Sequence, residues 1–142
     1  MKKSNGTSSY NATLEPEQPR TYLSDEELAH FKKLILEKRA QALEDIDRLK
    51  ERLENSWEQA EAYTYHLADA GSDAMEREML NMMIARQQKF VGYLNRALKR
   101  IELKTYGMCK VTGKPIPKER LEAVPHTEIT VEAKLKEKQQ IK

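Results

Sequence analysis

The chain has one cysteine, Cys109, in 142 residues, so an internal disulfide and a four-thiolate metal site are both excluded. Aromatic residues are 6% and hydrophobic residues 39%, which is lean for a compact globule. No apolar run approaches the roughly 20 residues that span a bilayer. Two lysines follow Met1, but no apolar segment follows them, so a secretory signal is not expected. These absences make the cytoplasm the expected location, without a membrane. Glycine and proline number five each, and neither occurs between Leu23 and Gly71. A stretch that long without a breaker admits a long helix.

Charge is abundant, at 34% of residues, and it is segregated. The net value of +2 hides an acidic block, residues 44–78, with eleven acids and four bases. Residues 99–142 carry eleven bases and six acids. One part of the molecule is thus acidic and another basic.

Residues 1–22 are rich in Ser, Asn, Thr and Pro without periodicity, and read as a flexible N-terminal arm. Ser24-Asp-Glu-Glu27 is a capping box that starts a helix. Leu28, Phe31, Ile35, Ala42, Ile46, Leu49 and Leu53 then recur at helical spacing as one apolar stripe. The stripe fades near Trp57, so the helix is expected to end between Ser56 and Ala62. Tyr63 to Ser72 reads as a connector. Asp73-Ala-Met-Glu76 reads as a second capping box. Met79, Met83, Phe90, Leu94, Ala97 and Ile101 form the second stripe, to about Lys104. Each helix would be about 50 Å long. Neither buries its stripe alone, so an antiparallel hairpin over residues 23–104 is expected, its tip near 63–73. The fold class expected is all-α and elongated.

Beyond Gly107 the pattern breaks. Gly113, Pro115 and Pro117 mark turns, and Lys118 to Val124 suits a short helix with Pro117 at its first turn. Val131 to Gln140 is helix-prone and basic. The stretch from Thr105 to His126, TYGMCKVTGKPIPKERLEAVPH, looks like half of a zinc knuckle. A structural zinc site takes four ligands, typically two Cys-x2-Cys pairs. Counting from Cys109, the other positions fall on Thr112, Thr130 and Ala133. None replaces a thiolate, so the expected metal set is none. A small metal-free fold over residues 105–133 is expected instead, held by Ile116, Leu121, Val124 and Ile129, with residues 134–142 as a basic C-terminal tail.

The segment RALKRIELKTYGMCKVTGKPIPKERLEAVP, Arg96 to Pro125, resembles the DksA/TraR family of bacterial transcription factors. Its Tyr-Gly-X-Cys, Gly-X-Pro-Ile and Arg-Leu-Glu-Ala-x-Pro elements carry the likeness, and the preceding hairpin extends it from Leu23 to the C-terminus. The family is a coiled coil on a zinc-knuckle base, and this chain resembles a cysteine-depleted member of it. The resemblance implies a regulator that binds RNA polymerase, with the coiled coil in the secondary channel and acidic tip residues near the catalytic centre. It implies no specific DNA binding by the protein alone.

The family tip has two Asp residues three apart with an Ala soon after. Here Asp69 and Asp73 are four apart with Gly71 between them, followed by Ala74, so the tip is a variant. Those three residues are the candidate tip site; Asp73 as a plain N-cap and Asp69 as a solvated loop acid are the structural alternatives. Family members that bind the alarmone ppGpp use positions that fall here on Tyr93, Val124 and Lys134. Only Lys134 keeps a cation, which argues against ppGpp binding in the family's manner, although Arg86, Lys89, Arg96 and Arg120 lie nearby in sequence. Arg120 and Lys134 stand as candidate ppGpp or polymerase contacts.

Met75, Met79, Met82 and Met83 crowd the start of the second helix and read as packing filler or as an adaptable contact surface. Trp57 is expected to pack there too. No catalytic constellation is present, so an enzyme is not expected. A monomer is. The alternatives are a metal-free coiled-coil adaptor without polymerase activity and a nucleic-acid-binding module using the basic C-terminal third.

Overall fold

The computed structural model describes residues 19–62 and 67–141, the side chains of 60–62, 67–72 and 140–141 excepted. Residues 1–18, most of the expected arm, and Tyr63 to His66 of the expected connector lie outside the described residues. Four helices follow in order: α1 (Asp25–Ala62), α2 (Leu67–Glu102), α3 (Lys118–Ala123) and α4 (Val131–Ile141). The fold is all-α.

Helix α1 starts at its capping box. The Ser24 N–H donates to Glu27 Oε1 at 2.9 Å, and the Glu27 N–H donates to Ser24 Oγ at 3.1 Å. Three acids in the first turn add a favourable dipole interaction. The helix has 38 residues and α2 has 36, or about 55 Å each at 1.5 Å per residue. They pack along each other as the hairpin.

The first stripe is buried as read: Leu28, Phe31, Ile35, Ala42, Ile46 and Leu49, with Leu53 half-buried. The second is buried as read only from Leu94 onward, with Phe90 half-buried against the same core. Nearer the tip, Leu80 and Ile84 face α1, while Met79 and Met83 face outward. Leu80, Ile84, Val91 and Leu94 keep a four-seven-three progression that joins the lower stripe smoothly. The thioethers therefore lose the core to branched aliphatics one position away.

The start of α2 also differs from the expectation. The helix begins at Leu67, so Gly71 and Asp73 lie inside it and Asp73 is not an N-cap. Leu67, Ala68 and Ala70 are good helix formers. Continuing the helix through Gly71 costs only about 1 kcal/mol relative to alanine. Cross-helix contacts hold this end: Arg52 pairs with Glu76 at 3.5 Å, and the Arg77 guanidinium stacks over the Trp57 ring, 4.2 Å from its centroid. Trp57 is thus a half-exposed cation–π partner rather than a core residue.

At its other end α2 stops in a Schellman-type turn. Lys104 takes φ +63, and the Thr105 N–H reaches back to the Arg100 carbonyl at 2.9 Å. The knuckle and the residues before α1 then close one core at the base. Leu23, Phe31, Leu94, Tyr106, Ile116 and Leu121 meet there. Gly107 is required twice over: its φ is +87, and an added Cβ would sit 3.1 Å from Leu23 Cδ1. The Tyr106 hydroxyl, fully buried, donates to the Pro125 carbonyl at 2.8 Å. Burial pushes its ionisation well above the usual tyrosine range.

Candidate functional site

Two regions carry the candidate residues, at opposite ends of the hairpin. At the closed end, the backbone of Asp69 and that of Asp73 lie in the first two turns of α2. Four residues apart on a helix, they occupy neighbouring positions on one face. Ala74 follows, exposed, and Asp73 is half-buried. The Asp69 side chain lies outside the described residues. The gap from the family's spacing of three to four thus falls within regular helix.

At the base, Thr112 and Thr130 meet the Cys109 sulfur, and Ala133 is joined to that group through Thr130. Cys109 is fully buried. Its Sγ accepts the Thr130 N–H at 3.4 Å, the Thr112 N–H at 3.5 Å and the Thr130 hydroxyl at 3.9 Å. Thr130 Oγ1 in turn accepts the Ala133 N–H at 3.2 Å and so caps α4. The local sequence explains the convergence. Gly107 and Gly113, both at positive φ, fold the Met108–Pro115 segment back on itself. The Cys109 N–H donates to the Lys114 carbonyl at 2.8 Å, and the Gly113 N–H to the Cys109 carbonyl at 2.8 Å.

Burial by itself would push the Cys109 thiol up. Hydrogen bonds outweigh it, from the Thr112 hydroxyl and backbone first, then from the Thr130 and Val111 backbone, and bring the thiol down to about 7. A zinc ion would need thiolate or imidazole donors at all four positions. One thiol, two threonines and an alanine do not fit it. No group of three or more His, Cys, Asp or Glu that could hold a metal occurs among the described residues.

A second set of contacts ties the same segments together. The Glu128 carboxylate meets Lys110 at 2.7 Å, Arg100 at 3.0 Å and Arg96 at 3.8 Å. The Lys110 N–H donates to the Glu128 carbonyl at 2.9 Å. Burial would raise the Glu128 carboxyl, but Lys110 and the two arginines hold it below the usual range. Sequence reasoning missed this cluster. Its cations lie 18, 28 and 32 residues before Glu128, and no local pattern marks them.

The alarmone-position residues are brought near one another in part. Tyr93 stacks on His126, ring centroids 5.6 Å apart and 12° from parallel, and the Arg96 guanidinium lies over the Tyr93 ring, 4.9 Å from its centroid. Tyr93 and His126 line one side of a shallow pocket with Arg86, Lys89 and Phe90. Val124 ends α3, and Lys134 is exposed on α4. Arg120 lies on α3 and does not line that pocket. Burial first, and the Arg100 charge second, push the His126 imidazole down.

No helix among the described residues is long and apolar enough to cross a membrane. Residues 104–139 match the family model for the prokaryotic dksA/traR C4-type zinc finger. The chain is 31% identical over 122 residues to the RNA polymerase-binding transcription factor DksA of Caulobacter vibrioides, covering 83% of this chain and 80% of that one. It is 26% identical over 129 residues to the protein of the same name from Escherichia coli, covering 87% and 81%. The structure of transcription factor DksA2 from Pseudomonas aeruginosa shares the fold, with a TM-score of 0.74 at 24% identity over 84% of this chain and 88% of that one. Hairpin, knuckle and coverage agree, and the chain belongs to the DksA/TraR family.

Proposed function

We propose that this protein binds RNA polymerase and regulates transcription initiation by placing the acidic end of its hairpin in the secondary channel. The observation that carries the reading is the two-helix prong itself. Each arm is over 35 residues long, the closed end lies within the acidic block, and the chain is similar over four-fifths of its length to proteins named as polymerase-binding factors. A thin prong of this kind enters a pore that a globule of equal mass cannot. Asp69 and Asp73 bring carboxylates toward a metal-bearing active centre, where they perturb Mg²⁺ or neighbouring cations. Arg120 and Lys134, at the base, serve as polymerase contacts.

The protein acts on the enzyme and not as one, in the cytoplasm, with one copy per channel. It requires no zinc, and it recognises no DNA sequence by itself. Alarmone binding in the family's manner is disfavoured, because of Tyr93, Val124 and Lys134 only Lys134 carries a cation for a phosphate.

The test is binding to core RNA polymerase from the same organism, with a known secondary-channel factor as competitor. Mutual displacement is expected. The D69N/D73N double variant is expected to bind normally and to lose most of the effect on initiation. Absence of binding by folded protein would leave a coiled-coil adaptor as the reading. Full activity of the double variant would remove the tip from it.

A further inference from the structure

Helix α2 has a second apolar face that α1 does not cover. Met75, Met79 and Met82 are 72%, 62% and 59% exposed, and Met83 borders them. With Glu78 and Arg86 they line an open groove. At 100° per residue this face is centred about 150° around the helix from Leu80 and Ile84, nearly opposite the side that meets α1. Exposed apolar clusters of this kind mark interaction sites more often than chance surface.

The pattern on this face is self-complementary. In an antiparallel pairing of two α2 helices with the two-fold axis beside Met82, residues whose numbers are equally far from 82 face each other. Glu78 then lies opposite Arg86 of the second copy, and by symmetry Arg86 lies opposite Glu78. Met79 meets the small Ala85, and Met75 meets the aliphatic stem of Lys89. Ion pairs among the described residues use neither Glu78 nor Arg86. We propose that a second copy of this chain occupies the Met face, giving an antiparallel α2–α2 homodimer about an axis at Met82.

An isologous contact of this kind closes on itself and does not propagate. One helix face is smaller than the roughly 800 Å² per partner of a stable interface, so the dimer is weak and reversible. Resting on the function proposed above, the dimer has a consequence: a second hairpin beside the tip is too wide for the channel. The free dimer is then a reserve that excludes polymerase, and dilution releases the active monomer. The self-association itself does not depend on that function.

Sedimentation velocity of the whole protein from about 1 to 300 µM tests the dimer, with the variants E78R, R86E and E78R/R86E. Wild type is expected to dimerise within this range. Each single reversal creates two like-charge contacts and is expected to raise the dissociation constant about tenfold. The double reversal, and an equimolar mixture of the two single variants, are expected to return to near the wild-type value. The variant M82C places two thiols at the axis and is expected to cross-link with diamide, unlike Q88C on another face. Reduced M82C is expected to bind polymerase and the cross-linked form is not.

A protein monomeric throughout the range overturns the proposal. So does association that ignores the charge reversals. A monomer whose M82K variant loses polymerase binding would assign the Met face to the polymerase instead. Failure of reduced M82C and wild type alike to bind polymerase would refute the function, and the sedimentation result would stand apart from it.

Discussion

Restoring the three missing cysteines tests whether the knuckle keeps the geometry of a metal site without the ligands. Two sulfurs on one tetrahedral zinc, each at 2.3 Å, lie about 3.8 Å apart. Thr130 Oγ1 already stands 3.9 Å from Cys109 Sγ, and the backbone of Thr112 and Ala133 is tied to the same cluster. The variant T112C/T130C/A133C therefore needs little rearrangement to bind zinc. Without metal it is expected to lose about 1–2 kcal/mol, because the Thr130 cap on α4 and a buried hydroxyl contact are gone. With zinc at a thousandfold excess over its dissociation constant it gains about 4 kcal/mol. That corresponds to a rise in melting temperature of roughly 12 °C for a chain of this size. The assays are thermal unfolding with zinc or chelator, and Co²⁺ absorption, in which tetrahedral thiolate ligation gives intense visible bands. The parent is expected to show neither the shift nor the bands. A triple variant that binds Co²⁺ no better than the parent would refute the inference that the four positions converge.

Gly107→Ala is expected to cost about 2 kcal/mol, from the left-handed φ together with the approach to Leu23, and a lower urea midpoint at unchanged m-value reads it. Tyr106→Phe leaves the Pro125 carbonyl without its donor and is expected to cost about 1 kcal/mol in the same assay. Cys109 predicts a pH dependence. Its thiol sits at about 7 in the folded chain, below its ordinary value near 9, so the folded state favours the thiolate. Stability should therefore rise between about pH 7 and 9, by at most roughly 3 kcal/mol, and be lost as pH falls through 7. Cys109→Ser should flatten that rise, and an unchanged slope in the variant would contradict the hydrogen-bonded thiolate.

Much of the fold was legible because its signals are local. The capping box at Ser24 and Glu27 and the α1 stripe are short-range patterns, and each stands where it was read. The misreadings occurred where two local signals compete. Asp73 and Glu76 resemble a helix start, but the residues before them are also helix formers, and propensity cannot rank the two. Met79 and Leu80 are both apolar neighbours, and only the phase of the packed pair decides which one is buried. The knuckle positions were legible by counting from Cys109. The Glu128 cluster was not, since its ion pairs join residues far apart in the chain.

Composition and spacing alone determined that this protein is a breaker-poor helical hairpin, acidic toward one end, on a glycine-turned base that lacks the thiolates for zinc. Those properties depend on residue type and on distances of three, four and seven along the chain. Tertiary packing alone decided that Cys109 is the buried acceptor of three donors, that Glu128 draws together three cations, and that four methionines were left outside the core. Such outcomes depend on which side of a helix meets its partner, and a rotation of 100° per residue turns a one-residue difference into the difference between core and surface.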